Sequence, residues 1–443
     1  MARRLTDPLG TTGALSALFS DSSVLQALLD VEVALTRVQA RLGLIPQGAA
    51  DAIGKVSVAS FDTEALAREA RHSGTIAVPF VDALTACVRA IDAGAAGFVH
   101  WGATSQDVVD TAFVRLVNRA IDAIDEDQRA LAGALRALSD RHSGDVMLAR
   151  TLLQPAPPIT FGLKVAGWYA GVQRSWARVV TRRREALVIQ FGGASGTMAA
   201  LDERGLDVAE ALARELNLSC PDAPWHSYGD RLAAMVAASA IYTGVLGKMA
   251  RDISLLMQAE VGEAREAGGG SSAMPHKRNP AGCAVALASA ARMPALMSTI
   301  LTCLVQEHER AAGTWHAEWP AIIEAMQVMG AAAEAMRHVA SGLTVDPARM
   351  RANLDATNGA IFAERIVMRA GRAVGRDAAA SMVKAALEKA QEGGTSFGAA
   401  VRAMPELVMQ LSADDLRSLD DPSGYLGSAE TLRRRLLQSG SGS

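Results

Sequence analysis

GGGSSAMPHKRNP, Gly268 to Pro280, joins a glycine-rich beginning to a basic, proline-bounded end. Three consecutive glycines leave the backbone nearly unrestrained, two hydroxyls follow, and Met274-Pro275 leads into His276, Lys277 and Arg278 before Asn279 and Pro280. The pattern predicts a mobile loop docked onto a helix start, with Asn279 as N-cap and Pro280 at the first helical position. A flexible start and a fixed exit suit a segment that closes over a ligand. Ser271 and Ser272 offer hydroxyls beside backbone N–H groups, and Lys277 and Asn279 offer donors to an anion. A serine alcohol shuttles a proton only where its alkoxide is stabilised by such donors in a closed, dry site. A solvated Gly/Ser linker has no reason to combine Met-Pro, three basic residues and Asn-Pro capping.

Around this loop lie 443 residues, 50% of them apolar, enough to bury a large core in two or three domains. A net charge of -3 gives no global basic field, so composition supports neither a nucleic-acid partner nor a membrane-surface role, and any anionic ligand must be met locally. Abundant alanine with only 4% aromatic residues favours an all-α fold of closely packed long helices. Cys87, Cys220, Cys283 and Cys303 form no CxxC and no metal-like spacing with histidine, so neither disulfides nor a metal is expected, and a reducing cytoplasm fits best. MARRLTDPLG carries no apolar run behind its arginines, and no window of some 18 uncharged apolar residues is present, so neither export nor a membrane span is expected.

The helical elements before Ala93 look short, and Leu25, Leu28, Leu29, Val33 and Leu35 to Val38 form a stripe read as core. Residues 1–107 are read as an N-terminal helical domain ending in HWGATSQD, His100 to Asp107. There Thr104, Ser105 and Asp107 precede a clear helix, and simple capping is one open use of Asp107. From 108 to 345 the chain carries long helical patterns at about 108–140, 158–188, 228–262, 281–308 and 320–341, which imply a bundle. In the third, Leu232, Met235, Val236, Val245, Leu246, Met249, Ile253 and Leu256 keep returning to one side. Helices this long, with apolar residues on more than one face, suggest burial against other subunits.

RTLLQPAPPITFG, Arg150 to Gly162, reads as a proline-rich break that starts the second long helix, with Pro158 near its first turn. GGASGT, Gly192 to Thr197, follows the strand-like LVIQF but lacks the GxGxxG spacing and the strand–helix alternation of a dinucleotide site, so a tight connection between bundle helices is expected; the loop at 268–280 likewise lacks a P-loop pattern, and no cofactor is implied. The cluster His308, Arg310, Trp315, His316, Glu318 and Trp319 is either a bundle end of satisfied interface side chains or a place where Arg310 reaches a substrate carboxylate. Residues 346–443 read as a C-terminal helical domain whose Ser439–Ser443 tail has no means of packing.

GSSAMPHKRNP, Gly270 to Pro280, resembles the signature loop of the fumarase/aspartase superfamily. The resemblance extends over most of the chain, through HWGATSQD, RTLLQPAPPITFG, GGASGT and HERAAGTWHAEW. It implies a three-domain all-α fold with a central five-helix bundle, a homotetramer with a twenty-helix core, and composite sites. It also implies that Ser271 handles the proton alpha to a carboxylate and that Lys277 stabilises the enediolate, with Ser272, Met274 and Asn279 of the same loop binding substrate. Thr104 and Ser105 match positions that hold a substrate carboxylate, Thr151 and Gln154 match positions of the second binding region, and His100 matches a histidine of the adenylosuccinate lyase and cycloisomerase branches.

The departures from the pattern choose the chemistry. Many superfamily members protonate a basic leaving group with a histidine–glutamate pair whose positions are Leu152 and Ala284 in this chain. A carboxylate, with a reference pKa near 4, needs no such acid. The resemblance therefore implies the lactone-forming cycloisomerase branch, in which one carboxylate of a small tricarboxylate adds across a conjugated double bond. An adenylosuccinate-lyase-like, fumarate-releasing reaction is the alternative, and an inactive structural paralogue is the reading from another class.

Overall fold

The computed structural model describes residues 5–270 and 272–438; Ser271 and the tail from Ser439 to Ser443 lie outside the described residues. Five long helices dominate: α1 (Ser105–Arg141), α2 (Phe161–Ala186), α3 (Asp230–Leu256), α4 (Ala281–Cys303) and α5 (Thr314–Gly342). The fold is all-α, as composition implied. By contact the chain divides into two compact units, the first made of residues 1–129, 175–247 and 285–335 and the second of 130–174, 248–284 and 336–443.

In the first unit the long helices meet through large amphipathic side chains. Trp176 of α2 donates to Asp125 of α1 at 2.8 Å, Tyr242 of α3 donates to Gln128 of α1 at 3.1 Å, and the Trp176 and Tyr242 rings pack at 5.1 Å. Each ring buries apolar area while its polar tip finds a partner. Phe113 of α1 stacks on Trp319 of α5 at 4.9 Å. A Cβ on Gly247 of α3 would stand 2.6 Å from the Cβ of Ala290 in α4, so small residues set the close approach of those two helices. The expected stripe of α3, a helix that runs from the first unit into the second, is buried at Leu232, Met235, Val236, Leu246, Met249, Ile253 and Leu256, with Val245 half-buried.

The shorter helix Asp21–Arg41 buries Leu25, Leu28, Leu29, Leu35 and Val38, with Val33 half-buried. Its Leu35 and Val38 pack with Ile189, Phe191, Met198, Leu201, Val208 and Leu212, so the segment after α2 lies against this helix. LVIQF is not a strand and contributes only one parallel bridge, Val188 to Ser219.

The second unit holds the clearest difference from expectation. RTLLQPAPPITFG is extended as far as Thr160; β1 (Val146–Thr151) and β2 (Gln154–Thr160) form an antiparallel hairpin in which Thr151 faces Gln154 and Pro158 faces Leu148. Prolines are tolerated because each strand of a two-stranded ribbon has an edge that needs no donor. α2 starts only at Phe161. In the first unit, α5 begins at Thr314, ahead of the expected 320, and carries Pro320 inside it. Leu148 packs with Leu354 and Phe362, and the helices Ala363–Val374 and Arg376–Gly393 share a core of Ile366, Ala370, Ala379 and Val383.

Candidate active site

In the first unit, residues 99–107 lead into α1 with the left-handed backbone of His100 (φ 59) and Gly102 (φ 73). Gly102 is required there, since an added Cβ would lie 2.8 Å from Leu201 in addition to the strain of its φ. Asp107, three residues after Thr104, accepts the Thr104 backbone N–H at 3.0 Å, which is half of a capping box. Capping is not its sole role. The same buried carboxylate accepts the N–H groups of Gly192 and Gly193 at 3.0 and 2.9 Å and pairs with His226 Nε2 at 2.7 Å. Contrary to expectation, GGASGT does not link two bundle helices directly: it lies between α2 and the short helices Ala199–Arg204 and Gly205–Leu216, and it is tied to the start of α1.

Arg310 completes this arrangement. Its guanidinium donates to Thr104 Oγ1 at 3.1 Å, Gln106 Oε1 at 3.2 Å and the Gly193 carbonyl at 3.2 Å. All three acceptors are neutral, so the positive charge is held in place by dipoles and stays available to an anion. Ser105 occupies the first turn of α1 beside Thr104, half-buried. The structure thus joins Arg310 to Thr104, with Ser105 next to it in the chain. His100 is turned to Glu32, which accepts its Nδ1 at 2.5 Å and its backbone N–H at 3.2 Å from a fully buried position. Burial pulls the imidazole pKa down, but the hydrogen bond and charge of Glu32, with the charge of Asp107, outweigh it and hold the pKa above its usual value.

In the second unit the signature loop is tied at both ends. Gly268 and Gly269 have φ of 108 and 70, and Asn279 donates its backbone N–H to the Gly269 carbonyl at 2.5 Å and its side-chain Nδ2 to the Gly270 carbonyl at 3.2 Å. α4 begins at Ala281, so Pro280 precedes the helix rather than opening it, its carbonyl accepting the Ala284 N–H at 2.8 Å, and Asn279, turned back to Gly270, does not cap it. The N–H groups of the first turn are met instead by the Glu266 carboxylate, which accepts from Gly282 and Cys283 at 2.8 and 3.2 Å. At the start of the loop, where a flexible entry was expected, the carbonyls of Gly269 and Gly270 are held by Asn279. Ser272, Met274 and Lys277 are exposed on that stretch, and Lys277 has no ion-pair partner among the described residues. Ser271 lies outside the described residues.

Thr151 and Gln154 stand opposed at the hairpin tip, both exposed. Between them Leu152 and Leu153 take φ of 51 and 64 and are 95% and 75% exposed. This is the geometry of a two-residue hairpin turn, which ordinarily favours Asn-Gly. At its base Arg150 forms a two-pronged pair with the buried Glu263 at 2.7 and 2.8 Å, and Asn353 donates to the same carboxylate at 2.8 Å.

Glu32, Gln106, Gly193 and His226 were not singled out in the sequence. Glu32 alone carried a signal: with Thr36 and Gln39 it sits at helical spacing among Leu25, Leu28 and Leu35, a charge on a core face.

A family profile described as Lyase matches residues 9–294, and one described as Adenylosuccinate lyase C-terminus matches residues 359–436. The chain is 45% identical over 441 residues to 3-carboxy-cis,cis-muconate cycloisomerase of Bradyrhizobium diazoefficiens, covering 98% of each chain. It is 40% identical over 446 residues to nitrosuccinate lyase of Streptomyces davaonensis, covering 98% of this chain and 94% of that one. The crystal structure of 3-carboxy-cis,cis-muconate lactonizing enzyme from Pseudomonas putida superposes with a TM-score of 0.94 at 39% identity, covering 99% of both chains. With the motif loop, the all-α fold and these matches along nearly its whole length, the chain belongs to the fumarase/aspartase superfamily of lyases.

Proposed function

We propose that the protein is an intramolecular lyase that interconverts 3-carboxy-cis,cis-muconate and carboxymuconolactone in protocatechuate (β-ketoadipate) catabolism. One observation carries the choice within the superfamily: the positions of the usual proton-donating pair are Leu152, at an exposed hairpin tip, and Ala284, in the first turn of α4. A reaction that expels a strongly basic amine has no donor there, whereas attack by a carboxylate needs none.

In the lactonising direction one substrate carboxylate oxygen bonds to a carbon of the conjugated diene. The displaced π electrons move onto the carbon alpha to another carboxylate and spread into it as an enediolate. Lys277 and Asn279 stabilise that charge, and the Ser271 hydroxyl delivers the proton to the alpha carbon; no group leaves. Thr104, Ser105 and Arg310 hold a spectator carboxylate, with His100, Thr151, Gln154, Ser272 and Met274 completing substrate binding. The protein works as a homotetramer in the cytoplasm, and each site draws on more than one protomer. The exposure of the hairpin tip and of residues 272–278 in a single chain supports this assembly.

Adding enzyme to 3-carboxy-cis,cis-muconate should abolish its conjugated-diene ultraviolet absorbance without added metal or nucleotide. Ser271→Ala should remove most of that turnover while circular dichroism shows an unchanged helical assembly. Equal turnover in the variant sinks the role of Ser271. Inertness toward the muconate, with fumarate released from adenylosuccinate or turnover of nitrosuccinate, sinks the assignment.

A further inference from the structure

A cleft of about 630 Å³ opens in the second unit beside the helices Ala363–Val374 and Arg376–Gly393. Its lining includes Arg365, Arg369, Arg372 and Arg376 against a single acid, Glu364. The first three fall at i, i+4 and i+7 on one face of their helix. Arg376 opens the next helix after the turn at Gly375, whose φ is 82. The opposite face of the pair is the apolar core already described, so the packing that buries Ile366 and Ala370 turns the arginines toward the cleft.

The four guanidinium groups are not equally occupied. Arg365 is buried, donates to the Ser418 carbonyl and hydroxyl at 3.2 and 2.8 Å, and lies over the Tyr425 ring at 5.7 Å, which fixes it as the floor. Arg369 meets Asp415 through a single 3.3 Å contact. Glu364 accepts the Tyr425 hydroxyl at 3.0 Å. Arg372 and Arg376 are exposed and have no hydrogen-bond or ion-pair partner among the described residues. Like charges at helical spacing repel one another, and an anion spanning them relieves that repulsion while engaging planar donor forks.

We propose that this cleft is a second ligand site, separate from the superfamily chemistry, for a small oxyanion carrying two or more negative charges. Arg365 and Arg369 hold one anionic group at the floor, and Arg372 and Arg376 hold another at the mouth. Carboxylates and phosphates share the required chemistry, so citrate and inorganic pyrophosphate are the two probes.

The test is calorimetric titration of the full-length protein and of the double variant Arg372→Ala/Arg376→Ala with each probe at matched ionic strength. Both substitutions are at exposed positions, and unchanged turnover of the double variant without added anion confirms an intact assembly. The wild type should show a binding event, weakened by salt, that the double variant loses by about a hundredfold in affinity, about tenfold for each charged donor removed. Any citrate held at the active site remains in both proteins and cancels in the comparison. Hydrogen exchange of residues 363–376 should slow on addition of the probe that binds. Preference for citrate assigns a polycarboxylate and preference for pyrophosphate a phosphate ligand. Identical isotherms for wild type and double variant with both probes, or no binding of either probe by the wild type, overturns the proposal.

Discussion

Glu318 lies on α5 with 3% of its surface exposed, and one of its carboxylate oxygens, Oε1, has no hydrogen-bond partner among the described residues. Gly229 leaves the space that this oxygen fills, since a Cβ there would stand 2.6 Å from it. Burial, helped by the nearby Asp110 carboxylate, pushes the Glu318 carboxyl from an ordinary 4.5 up to about 8. Because the folded pKa is raised, the folded chain holds a proton that the unfolded chain gives up. Stability from this group is therefore complete below pH 4.5, falls as the pH rises toward 8 and falls no further above it. The slope is about 1.4 kcal/mol per pH unit, an upper figure if water reaches the group. Glu318→Gln removes the titration. Its thermal midpoint should match the wild type near pH 5 and exceed it by several degrees at pH 9; an equal difference at both pH values excludes a buried titrating acid. The neighbouring Trp315 and Trp319 indoles both donate to Asp110 at 2.8 Å, so two rings of this cluster share one buried carboxylate.

At the scale of elements, the signature loop works as a closed Ω with a clamped base. A Cβ on Gly269 would lie 1.8 Å from the Asn279 carbonyl oxygen, and the φ of 70 is one that L side chains rarely adopt. Gly269→Ala must therefore open the base, displacing Lys277 and Asn279 together. Turnover should fall on the order of 100-fold, the usual consequence of an ångström-scale misplacement of reacting groups. The thermal midpoint should barely move, because residues 272–278 are exposed and contribute nothing to the core. A variant with full activity would show that the clamp does not position the catalytic groups. The hairpin carrying Thr151 and Gln154 is the second such device, a rigid ribbon anchored by Arg150 on Glu263 that presents its tip to solvent.

Across the whole molecule, two of the long helices meet the length and mean hydropathy of a membrane span, at 1.4 for α3 and 1.5 for α4, once one or two charges are allowed in the window. Their surroundings differ. The apolar window of α3 is 61% buried within the chain, while that of α4 is 22% buried, with Leu301 52% exposed. An apolar face of that size left in water is characteristic of an interface, and in this reading other copies of the chain cover it. Light scattering should give a mass near four times the 46.3 kDa chain. Leu301→Glu, which on an isolated surface would change stability by only about 0.5 kcal/mol, should dissociate the assembly and abolish turnover. A monomeric wild type, or an L301E variant that keeps its mass, rules out this face as the subunit contact.

Alanine-rich helical periodicity determined the all-α fold, because amphipathic stripes of that length have few other ways to bury themselves, and the motif from Gly268 to Pro280 carried the superfamily. Leu152 and Ala284 were legible as departures from it, since a missing polar side chain is missing in any fold. Contacts between residues far apart in the chain were not legible. Glu32 reaches His100 from 68 residues away, Asp107 gathers Gly192, Gly193 and His226 from as far as 119, and Arg310 crosses 206 residues to Thr104. Local rules also misread two helix starts: prolines that suggested a helical first turn belong to a hairpin, and the first turn of α4 is capped by the side chain of Glu266 rather than by Asn279. In both places local preference amounts to a kcal/mol or so, and only the tertiary structure decided which partner was near enough to outweigh it.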